Sequence, residues 1–384
     1  MIQVSFILAT FDRHDVVHST LQRIARCGLD VDDFEIHVVD NGSVNGQPTF
    51  ASPDIKCDVI VHAVDDNLGA CAKNIALPHV RGDYIVFLDD DSYPEPGSIQ
   101  RMIHHFARDE ALGAATFNVT LPNGTRECSA YPNVCVGCGV GLRRAALEQV
   151  GGLPTDFFMQ AEEYDLSLRL LDAGWNVRTF DDLHVTHLKS PLARSSAQKM
   201  RLDVRNNLLL IAKRFPKRWA LPYCVSWMHR YWIIAASNCR RRDFLRGLAQ
   251  GARAVTRCHR QPISDSAFER FSRINQIRHA MRRIDARTIL LVDCGKNILA
   301  YQRAARSAGI RIIAIADTNL AGYQFGGVPI ISDEQARQMA FDAIVIANSS
   351  PVHASQRAAE WRSLDHRPVF DLLQDEPQIS CLAA

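Results

Sequence analysis

Short strand-like runs recur along the first half of the chain, separated by stretches with helical spacing of apolar residues. The runs are Val4–Ala9, Glu35–Val39, Val59–Ala63, Tyr84–Leu88, Ala114–Val119 and Val177–Phe180. The helical stretches include Val16–Cys27 and Gly97–Arg108. This alternation predicts an α/β domain over residues 1–215, with a mostly parallel sheet flanked by helices. Because such sheets bind ligands at the carboxyl ends of their strands, the residues that follow each strand are the first candidates for a site.

The pattern changes between residues 216 and 287, which form a basic segment with an aromatic stripe. Trp219, Tyr223, Trp227 and Tyr231 recur at every fourth position, which places them on one face of a helix. From His229 to Arg287 there are fourteen arginines and four acids, a net charge of +10. Two interpretations stay open. The segment lies on an anionic membrane surface, or the aromatic side chains pack on the preceding domain and the arginines are solvated.

Residues 288–384 show strand–helix alternation again and predict a second, small α/β domain. The strand-like runs are Ile289–Asp293, Arg311–Ala316, Ala343–Ala347 and Pro368–Phe370. The segments Asp317–Asn319, Gly326–Ser332 and Asp342–Ala347 resemble small Rossmann-like domains of sugar-modifying proteins. Only one glycine, Gly295, follows the first strand, so the dinucleotide fingerprint is missing. We therefore expect an interaction or regulatory role at least as much as dinucleotide binding.

Composition narrows the class of protein. The net charge of +2 over 384 residues does not indicate a nucleic-acid binder. The N-terminus has no basic region ahead of its apolar run, and no apolar stretch is long enough to span a bilayer, which predicts a cytoplasmic location. Eleven scattered cysteines fit a reducing compartment. Cys135 and Cys138 lack the second pair that a zinc site would need, so we expect them to be small, partly buried residues.

The most specific chemical feature is the run of three carboxylates, Asp89, Asp90 and Asp91, directly after Tyr84–Leu88. Adjacent carboxylates repel one another, and a divalent cation relieves that repulsion. Mn²⁺ and Mg²⁺ prefer oxygen ligands, and a diphosphate would supply more of them. The alternative is an acidic turn that caps a helix ahead of Pro94 and Pro96.

Polar side chains also follow the other predicted strands of this domain. They are Thr10, Asp12 and Arg13 after the first strand, Asp40 after the second, and Asn67 and Lys73 after the third. We expect Asp40 to accept hydrogen bonds from a nucleobase. Lys73, with the backbone N–H groups of the helix expected after Asn67, would meet phosphate.

Taken in order, these motifs resemble the family 2 glycosyltransferases of the GT-A fold. The resemblance covers residues 2–215. It rests on Ser5–Arg13, Val39–Ser43, Asn67–Gly69 with Lys73-Asn74, Phe87–Asp91, Gly151–Pro154 and Glu162–Arg169.

The resemblance implies an inverting sugar transfer with Mn²⁺ or Mg²⁺ as cofactor. It places Asp89 near the donor ribose and diphosphate, Asp91 on the metal, and Asp40 on the base. It further implies that His187, rather than His184, reaches the metal or the diphosphate. Arg205 matches an Arg-Asn pattern of the family that could neutralise the diphosphate.

An inverting transfer needs a general base to deprotonate the acceptor hydroxyl. The candidates are Glu162, Glu163 and Asp165, at the start of a predicted helix. The family usually has Glu-Asp here, and the resemblance favours the second acid, Glu163. The alternative is that these acids only complement the helix dipole. The glycine-rich segment Cys135–Gly141 would let backbone approach the acceptor.

The sequence thus predicts a transferase that moves a sugar from a nucleotide-sugar to a saccharide or lipid-linked saccharide. Polysaccharide or glycolipid assembly at the inner face of a membrane is the expected setting. Two alternatives remain: a nucleotidyltransferase, although the turn Thr10–Arg13 lacks the glycines of a phosphate loop, and a degenerate transferase that acts as a scaffold.

Overall fold

The fold is described from a computed structural model of the chain. It describes residues 2–45, 55–189 and 195–374. The chain forms two compact units: Met1–Ser129 with Asn133–Ser195, and Ala130–Pro132 with Ser196–Ala384. The predicted division at residues 215 and 287 stays a prediction.

The first unit is built around one large sheet. Its strands are β1 Val4–Thr10, β2 Phe34–Asn41, β3 Asp58–Val64, β4 Tyr84–Asp89, β5 Ser92–Pro94, β6 Leu112–Thr120, β7 Arg126–Glu127, β8 Gly139–Arg143 and β9 Asn176–His187. Its α-helices are α1 His14–Ile24, α2 Ser98–Arg108, α3 Arg144–Val150 and α4 Glu162–Asp172, with 3₁₀ helices at Gly69–Ile75 and Leu77–His79.

The strand order of this sheet is β3-β2-β1-β4-β8-β6-β9-β5, with β7 paired to β6. The half from β3 to β4 is parallel. In the other half, β8 runs antiparallel to both β4 and β6, and β5 runs antiparallel to β9. The predicted α/β class is confirmed. The half of the sheet from β8 to β5 mixes parallel and antiparallel pairs, so it is less regular than the mostly parallel sheet that was expected.

Part of the glycine-rich segment lies inside the sheet instead of in an acceptor-facing loop. Strand β8 is buried between β4 and β6. A Cβ at Gly141 would lie 2.1 Å from Sδ of Met102, and a Cβ at Gly139 would lie 3.0 Å from Val119. Gly141 therefore allows α2 to pack closely on the sheet, and Gly139 leaves room for side chains of β6 and β9, which is a reason unrelated to substrate.

The second unit begins with helices and ends with a sheet. Its helices are α5 Ser196–Arg214, α6 Lys217–Ser237, α7 Arg241–Thr256, α8 Asp265–Ser272, α9 Ile274–Met281, α10 Ile298–Ser307, α11 Asp333–Arg337 and α12 Pro351–Leu364. Its strands are β10 Thr288–Val292, β11 Arg311–Ala316, β12 Gln324–Phe325, β13 Val328–Ile331, β14 Ala343–Ile346 and β15 Val369–Phe370.

Helix α6 carries the predicted aromatic stripe, and the stripe is internal to this unit. Tyr223 and Trp227 are fully buried. The Tyr223 ring centroid lies 5.2 Å from that of Phe268, and the Trp227 centroid lies 5.3 Å from that of Phe215. These side chains therefore face neither a membrane nor solvent, and they hold α6 against α8.

The sheet of this unit is parallel from β13 through β11, β10 and β14 to β15. Alternate residues of β10 face two cores. Ile289 and Leu291 pack with helices α9 and α10, and Leu290 and Val292 pack with Trp361 of α12. Since the core under α9 joins residues on both sides of position 287, the helices and the sheet stabilise one another.

The end of β10 is the point at which the strand order reverses, where open α/β sheets often bind ligands. Asn297 is fully buried there. Its Nδ2 donates to the Ser272 carbonyl at 2.8 Å and to Ser349 Oγ at 3.2 Å, and its Oδ1 accepts from Tyr223 Oη at 3.0 Å. Side chains of the same unit therefore occupy this position.

Among the described residues, every helix is too short or too polar to cross a bilayer.

Candidate active site

The carboxylate run lies at the carboxyl end of the central strand β4, as predicted. Asp89 ends the strand, and its side chain is 41% exposed. Asp90 and Asp91 are buried in the turn that follows. Burial raises the pKa of Asp90 to about 7, and the guanidinium of Arg13 opposes that rise. The turn thus brings carboxylates together, and a bound cation would relieve the repulsion between them.

Arg13 and Thr10, from the end of β1 and the turn after it, hold the two buried carboxylates. Arg13 donates to Asp90 Oδ1 at 2.5 Å and to Asp91 Oδ2 at 2.8 Å. Thr10 Oγ1 donates to Asp90 Oδ2 at 3.0 Å. Both residues lie at the predicted site, in contact with its acids, and their predicted contact with the donor stays a prediction.

His187 completes a group that could hold a metal ion. It ends strand β9, which extends past the predicted strand Val177–Phe180. The pairing of β5 with β9 sets His187 opposite Ser92. Its Nε2 therefore lies 3.1 Å from Asp91 Oδ1. One ligand atom each from Asp89, Asp91 and His187 lie within 4.8 Å of one another.

Glu127 is a site residue that the sequence analysis missed. Its Oε2 lies 2.6 Å from Nδ1 of His187, and its Oε1 accepts a hydrogen bond from Lys189. Burial raises the pKa of Glu127, but the hydrogen bonds from His187 and Lys189 outweigh it and bring the pKa to about 2. Burial lowers the pKa of His187, but Asp91, Cys138 and Glu127 together raise it to about 12.

Cys138 also lies beside this pair. Glu127, Cys138 and His187 form a second group of ligand atoms within 4.8 Å. Cys138 is buried, and burial raises the pKa of its thiol to about 11. The thiol therefore keeps its proton near neutral pH, and its Sγ lies 4.0 Å from Glu127 Oε2.

Hydrogen bonds connect the turn after β1, which contains Asp12, to the turn after β2, which follows Asp40. Asp12 accepts hydrogen bonds from the backbone N–H of Val44 at 2.9 Å and of Asn45 at 3.2 Å. Asp40 is buried and accepts from the Ser43 N–H at 3.2 Å. The structure thus brings these predicted residues to the same sheet edge as the carboxylates, and their contacts with a base or ribose stay predictions.

Asn67 precedes the 3₁₀ helix Gly69–Ile75, and Lys73 lies within that helix. Asn67 Oδ1 accepts from the Gly69 N–H at 2.9 Å. Lys73 is buried, and its Nζ donates to Asp89 Oδ1 at 3.1 Å and to the Gly137 carbonyl at 3.0 Å. Lys73 thus connects the carboxylate run to the glycine-rich segment.

Gly69 is required by the way this turn packs. Its φ is +68°, and a Cβ there would lie 1.9 Å from the backbone oxygen of Phe158. We predict that Gly69→Ala lowers the free energy of unfolding by more than about 2 kcal/mol, since it adds a backbone clash to a strained φ. Gly124→Ala is the control, because Gly124 has a φ of +80° with nothing within 4 Å of the added Cβ. Equal losses in urea denaturation for the two variants would contradict the packing argument.

The three candidate bases lie in the first turn of α4 but differ in environment. Asp165 is fully buried, and its Oδ2 accepts from Arg169 Nε at 2.7 Å. Arg169 also donates to the Gly151 carbonyl at 2.9 Å and the Gly152 carbonyl at 2.6 Å. These contacts give Asp165 a structural role in holding the loop before α4.

Glu162 and Glu163 form an acidic pair at this helix start. Glu162 is buried, and burial together with the charge of Glu163 raises its pKa well above the usual value. Glu163 is partly exposed. A Cβ at Gly137 would lie 3.4 Å from Glu163 Oε1, so this carboxylate lies beside the segment that Lys73 contacts.

Arg205 belongs to the second unit, in helix α5. Its Nη1 donates to Asn206 Oδ1 at 2.5 Å. Its predicted contact with the donor diphosphate stays a prediction.

Comparison with known proteins tests the resemblance that the motifs indicated. Residues 5–133 match the family model "Glycosyl transferase family 2". The predicted resemblance is confirmed over this segment, which contains β1 to β7 and the carboxylate run.

Curated relatives match the chain at low identity. The chain is 26% identical over 192 residues to the pre-mycofactocin glycosyltransferase of Mycobacterium tuberculosis, covering 41% of this chain and 39% of that protein. It is 25% identical over 219 residues to the UDP-Glc:alpha-D-GlcNAc-diphosphoundecaprenol beta-1,3-glucosyltransferase WfaP of Escherichia coli, covering 54% of this chain and 85% of that protein. The chain spans between 29% and 39% of the first curated relatives that it matches.

Among solved structures, the chain resembles the mannosyltransferase PcManGT from Pyrobaculum calidifontis in complex with GDP-Man and Mn²⁺. The TM-score is 0.47 at 21% identity, covering 66% of this chain and 75% of that one. Staphylococcus aureus TarS 1-349 in complex with UDP-GlcNAc matches with a TM-score of 0.49 at 13% identity, covering 80% and 93%. At these scores, the fold class rests on the strand order described above.

Proposed function

We propose that the chain is an inverting, metal-dependent glycosyltransferase that uses a nucleotide-sugar donor. The observation that carries the proposal is the group formed by Asp89, Asp91 and His187 at the carboxyl end of β4, within a segment that matches family 2. Two carboxylates and an imidazole are ligands that suit Mn²⁺, and carboxylates also suit Mg²⁺. A cation held by these residues would stabilise the leaving diphosphate as a Lewis acid.

The residues around this group would bind the donor. Asp40 and Asp12, in the joined turns after β1 and β2, would hold the base and ribose. Thr10, Arg13 and Asp90 form one hydrogen-bonded set beside Asp91 and would orient the acidic motif. Lys73, Asn67 and Arg205 would contribute positive charge and polar contacts for the diphosphate.

In the transfer step, Glu163 would take the proton of the acceptor hydroxyl. The acceptor oxygen forms a bond to the anomeric carbon as the bond from that carbon to the diphosphate oxygen breaks, and attack from the opposite face inverts the configuration. The high pKa of Glu162 supports this assignment. Burial favours the protonated form of Glu162 over that of the more exposed Glu163, so we assign the base to Glu163.

The proposed acceptor is a saccharide or a lipid-linked saccharide. The name of the E. coli relative specifies a diphosphoundecaprenol-linked acceptor for that protein. A membrane glycolipid acceptor would place this chain at the inner face of a membrane, in polysaccharide or glycolipid assembly.

The proposal is tested by incubating the protein with UDP-, GDP- and dTDP-sugars, a set of saccharide acceptors and Mn²⁺. Release of one nucleoside diphosphate is followed, and proton NMR reads the anomeric configuration of the first product. An α-linked donor should yield a β-linked product. A product with retained configuration would contradict the inverting step, and the absence of nucleotide release with every donor would favour a degenerate scaffold.

Glu127 is proposed to position His187, since its carboxylate fixes which ring nitrogen faces Asp91. Outer carboxylates on metal-binding histidines typically contribute 10- to 100-fold to metal affinity. We therefore predict that Glu127→Gln weakens Mn²⁺ binding by roughly 10- to 100-fold in a calorimetric titration. Glu148→Gln, at an exposed position on α3, is the control. Equal affinity of the two variants for Mn²⁺ would remove Glu127 from this role.

A further inference from the structure

Helix α6 has a second apolar face, opposite the buried aromatic stripe. Leu221, Val225, Met228 and Trp232 recur at spacings of four, three and four residues, which aligns them along one side of the helix. Leu221 is 72% exposed, Val225 61% and Trp232 38%. A row of large, solvent-exposed apolar side chains is uncommon on a monomeric protein and usually marks a binding surface.

The apolar line continues onto the neighbouring helix α7. The ring centroid of Trp232 lies 5.4 Å from that of Phe244. The next residue, Leu245, is 54% exposed. The guanidinium carbon of Arg241 lies 5.7 Å from the Trp232 ring centroid. Leu221, Val225, Trp232, Leu245, Arg241 and Arg242 are called the α6–α7 face below.

Basic residues outnumber acidic ones on the two helices of this face. Helix α6 contains no acidic residue, and helix α7 contains only Asp243. Asp243 is buried, and its carboxylate lies 3.8 Å from Arg240 and 4.0 Å from Arg246. Arg241 and Arg242 are exposed on the same helix. The two helices therefore present apolar side chains beside arginines that their own carboxylates do not neutralise.

We propose that the α6–α7 face docks on an anionic lipid surface. Leu221, Val225 and Leu245 would enter the boundary between headgroups and acyl chains. Trp232 suits the interface, where an amphipathic ring is favoured. Arg241 and Arg242 would bind lipid phosphate, and neighbouring arginines would add attraction at longer range. This differs from the membrane contact expected from the sequence, because the aromatic stripe proposed there is buried.

The inference gives the proposed transferase a route to a lipid-linked acceptor, and in that respect it rests on the proposed function. Vesicle binding is measured without donor, acceptor or metal. A failure to bind vesicles would therefore not contradict the proposed transferase function. A failure to transfer sugar would not contradict lipid docking by the α6–α7 face.

The experiment is co-sedimentation of the full chain with vesicles of phosphatidylcholine alone, or with about a third phosphatidylglycerol. We expect binding to the anionic vesicles that weakens with salt, because the charges lie at the surface. Arg241→Gln with Arg242→Gln should weaken it by roughly thirtyfold, since one basic residue near such a surface contributes about a factor of five. Leu221→Gln with Val225→Gln should weaken binding at high salt as well, because their contribution is not electrostatic.

Two matched controls test whether the effect depends on the α6–α7 face or only on the type of residue removed. Arg306→Gln with Arg311→Gln removes the same charge at exposed positions elsewhere in this unit, and Leu364→Gln removes an apolar side chain that is 51% exposed on α12. Equal losses in these controls would overturn the assignment of the surface. An absence of binding to anionic vesicles would overturn the proposal itself. So would light scattering that shows a dimer disrupted by Leu221→Gln with Val225→Gln, which would make the face an interface between two copies.

Discussion

Asp91→Ala is expected to abolish the Mn²⁺-dependent part of nucleotide binding and to lower sugar transfer by roughly a thousandfold, equivalent to about 4 kcal/mol of transition-state stabilisation. The reason is that Asp91 lies at the centre of the site. It contacts Arg13 on one side and His187 on the other, and it belongs to the proposed metal group. The measurement is a comparison of nucleoside diphosphate binding with and without Mn²⁺, together with the rate of transfer.

The control for this variant is Asp83→Ala, which removes an exposed carboxylate paired with Arg144 in the same unit. Near-UV circular dichroism checks that Asp91→Ala keeps its tertiary packing, since Arg13 loses a partner in this variant. Binding that stays Mn²⁺-dependent and undiminished in a folded Asp91→Ala protein would remove Asp91 from the metal group.

Glu163→Gln is expected to leave donor affinity within a few fold of the native protein and to lower transfer by roughly 10²- to 10⁴-fold, the usual contribution of a general base. Glutamine keeps the size of the side chain beside Gly137 but does not accept a proton. Calorimetry measures the donor affinity, and a kinetic assay measures the transfer rate at saturating donor. Loss of a general base should lower the transfer rate and leave the donor affinity unchanged.

Glu162→Gln is the matched variant at the adjacent position. Glu162 is buried, and burial together with the charge of Glu163 raises its pKa well above the usual value, so its protonated form is favoured and an amide is a close substitute for it. We therefore expect Glu162→Gln to retain most of the transfer activity. The reverse ranking, with Glu162→Gln inactive and Glu163→Gln active, would assign the base to Glu162.

The parallel half of the first sheet and its polar edge were predictable because both depend on local sequence. Apolar runs gave the strands β1, β2 and β4, and parallel strands bring the residues after them to one edge. This is why Thr10, Asp40 and the acidic run were found together without a structure.

Glu127 could not be predicted because its position depends on pairings that are distant in sequence. The two-residue strand β7 pairs with β6, and β6 pairs in turn with β9, which ends in His187. A single acid in a polar segment shows no sequence pattern that would indicate His187 as its neighbour. Strand β8 was missed because its glycines suggest a loop, whereas Gly141 makes room for Met102 of α2.

Helix α6 shows the limit of periodicity for a helix with two apolar faces. The four-residue spacing of Tyr223 and Trp227 correctly predicted a helix with an aromatic stripe. The spacing does not state which apolar face is buried, because that depends on the partner that packs there. Phe215 and Phe268 bury the aromatic face, and Leu221 and Val225 stay exposed on the other.

The most direct test of the central claim is calorimetric titration of UDP, GDP and dTDP into the native protein, each with and without Mn²⁺. The proposed site predicts that one nucleotide binds tightly only when Mn²⁺ is present and that Asp91→Ala loses this binding. No binding of any of the three nucleotides under either condition would contradict a nucleotide-sugar site at the end of β4.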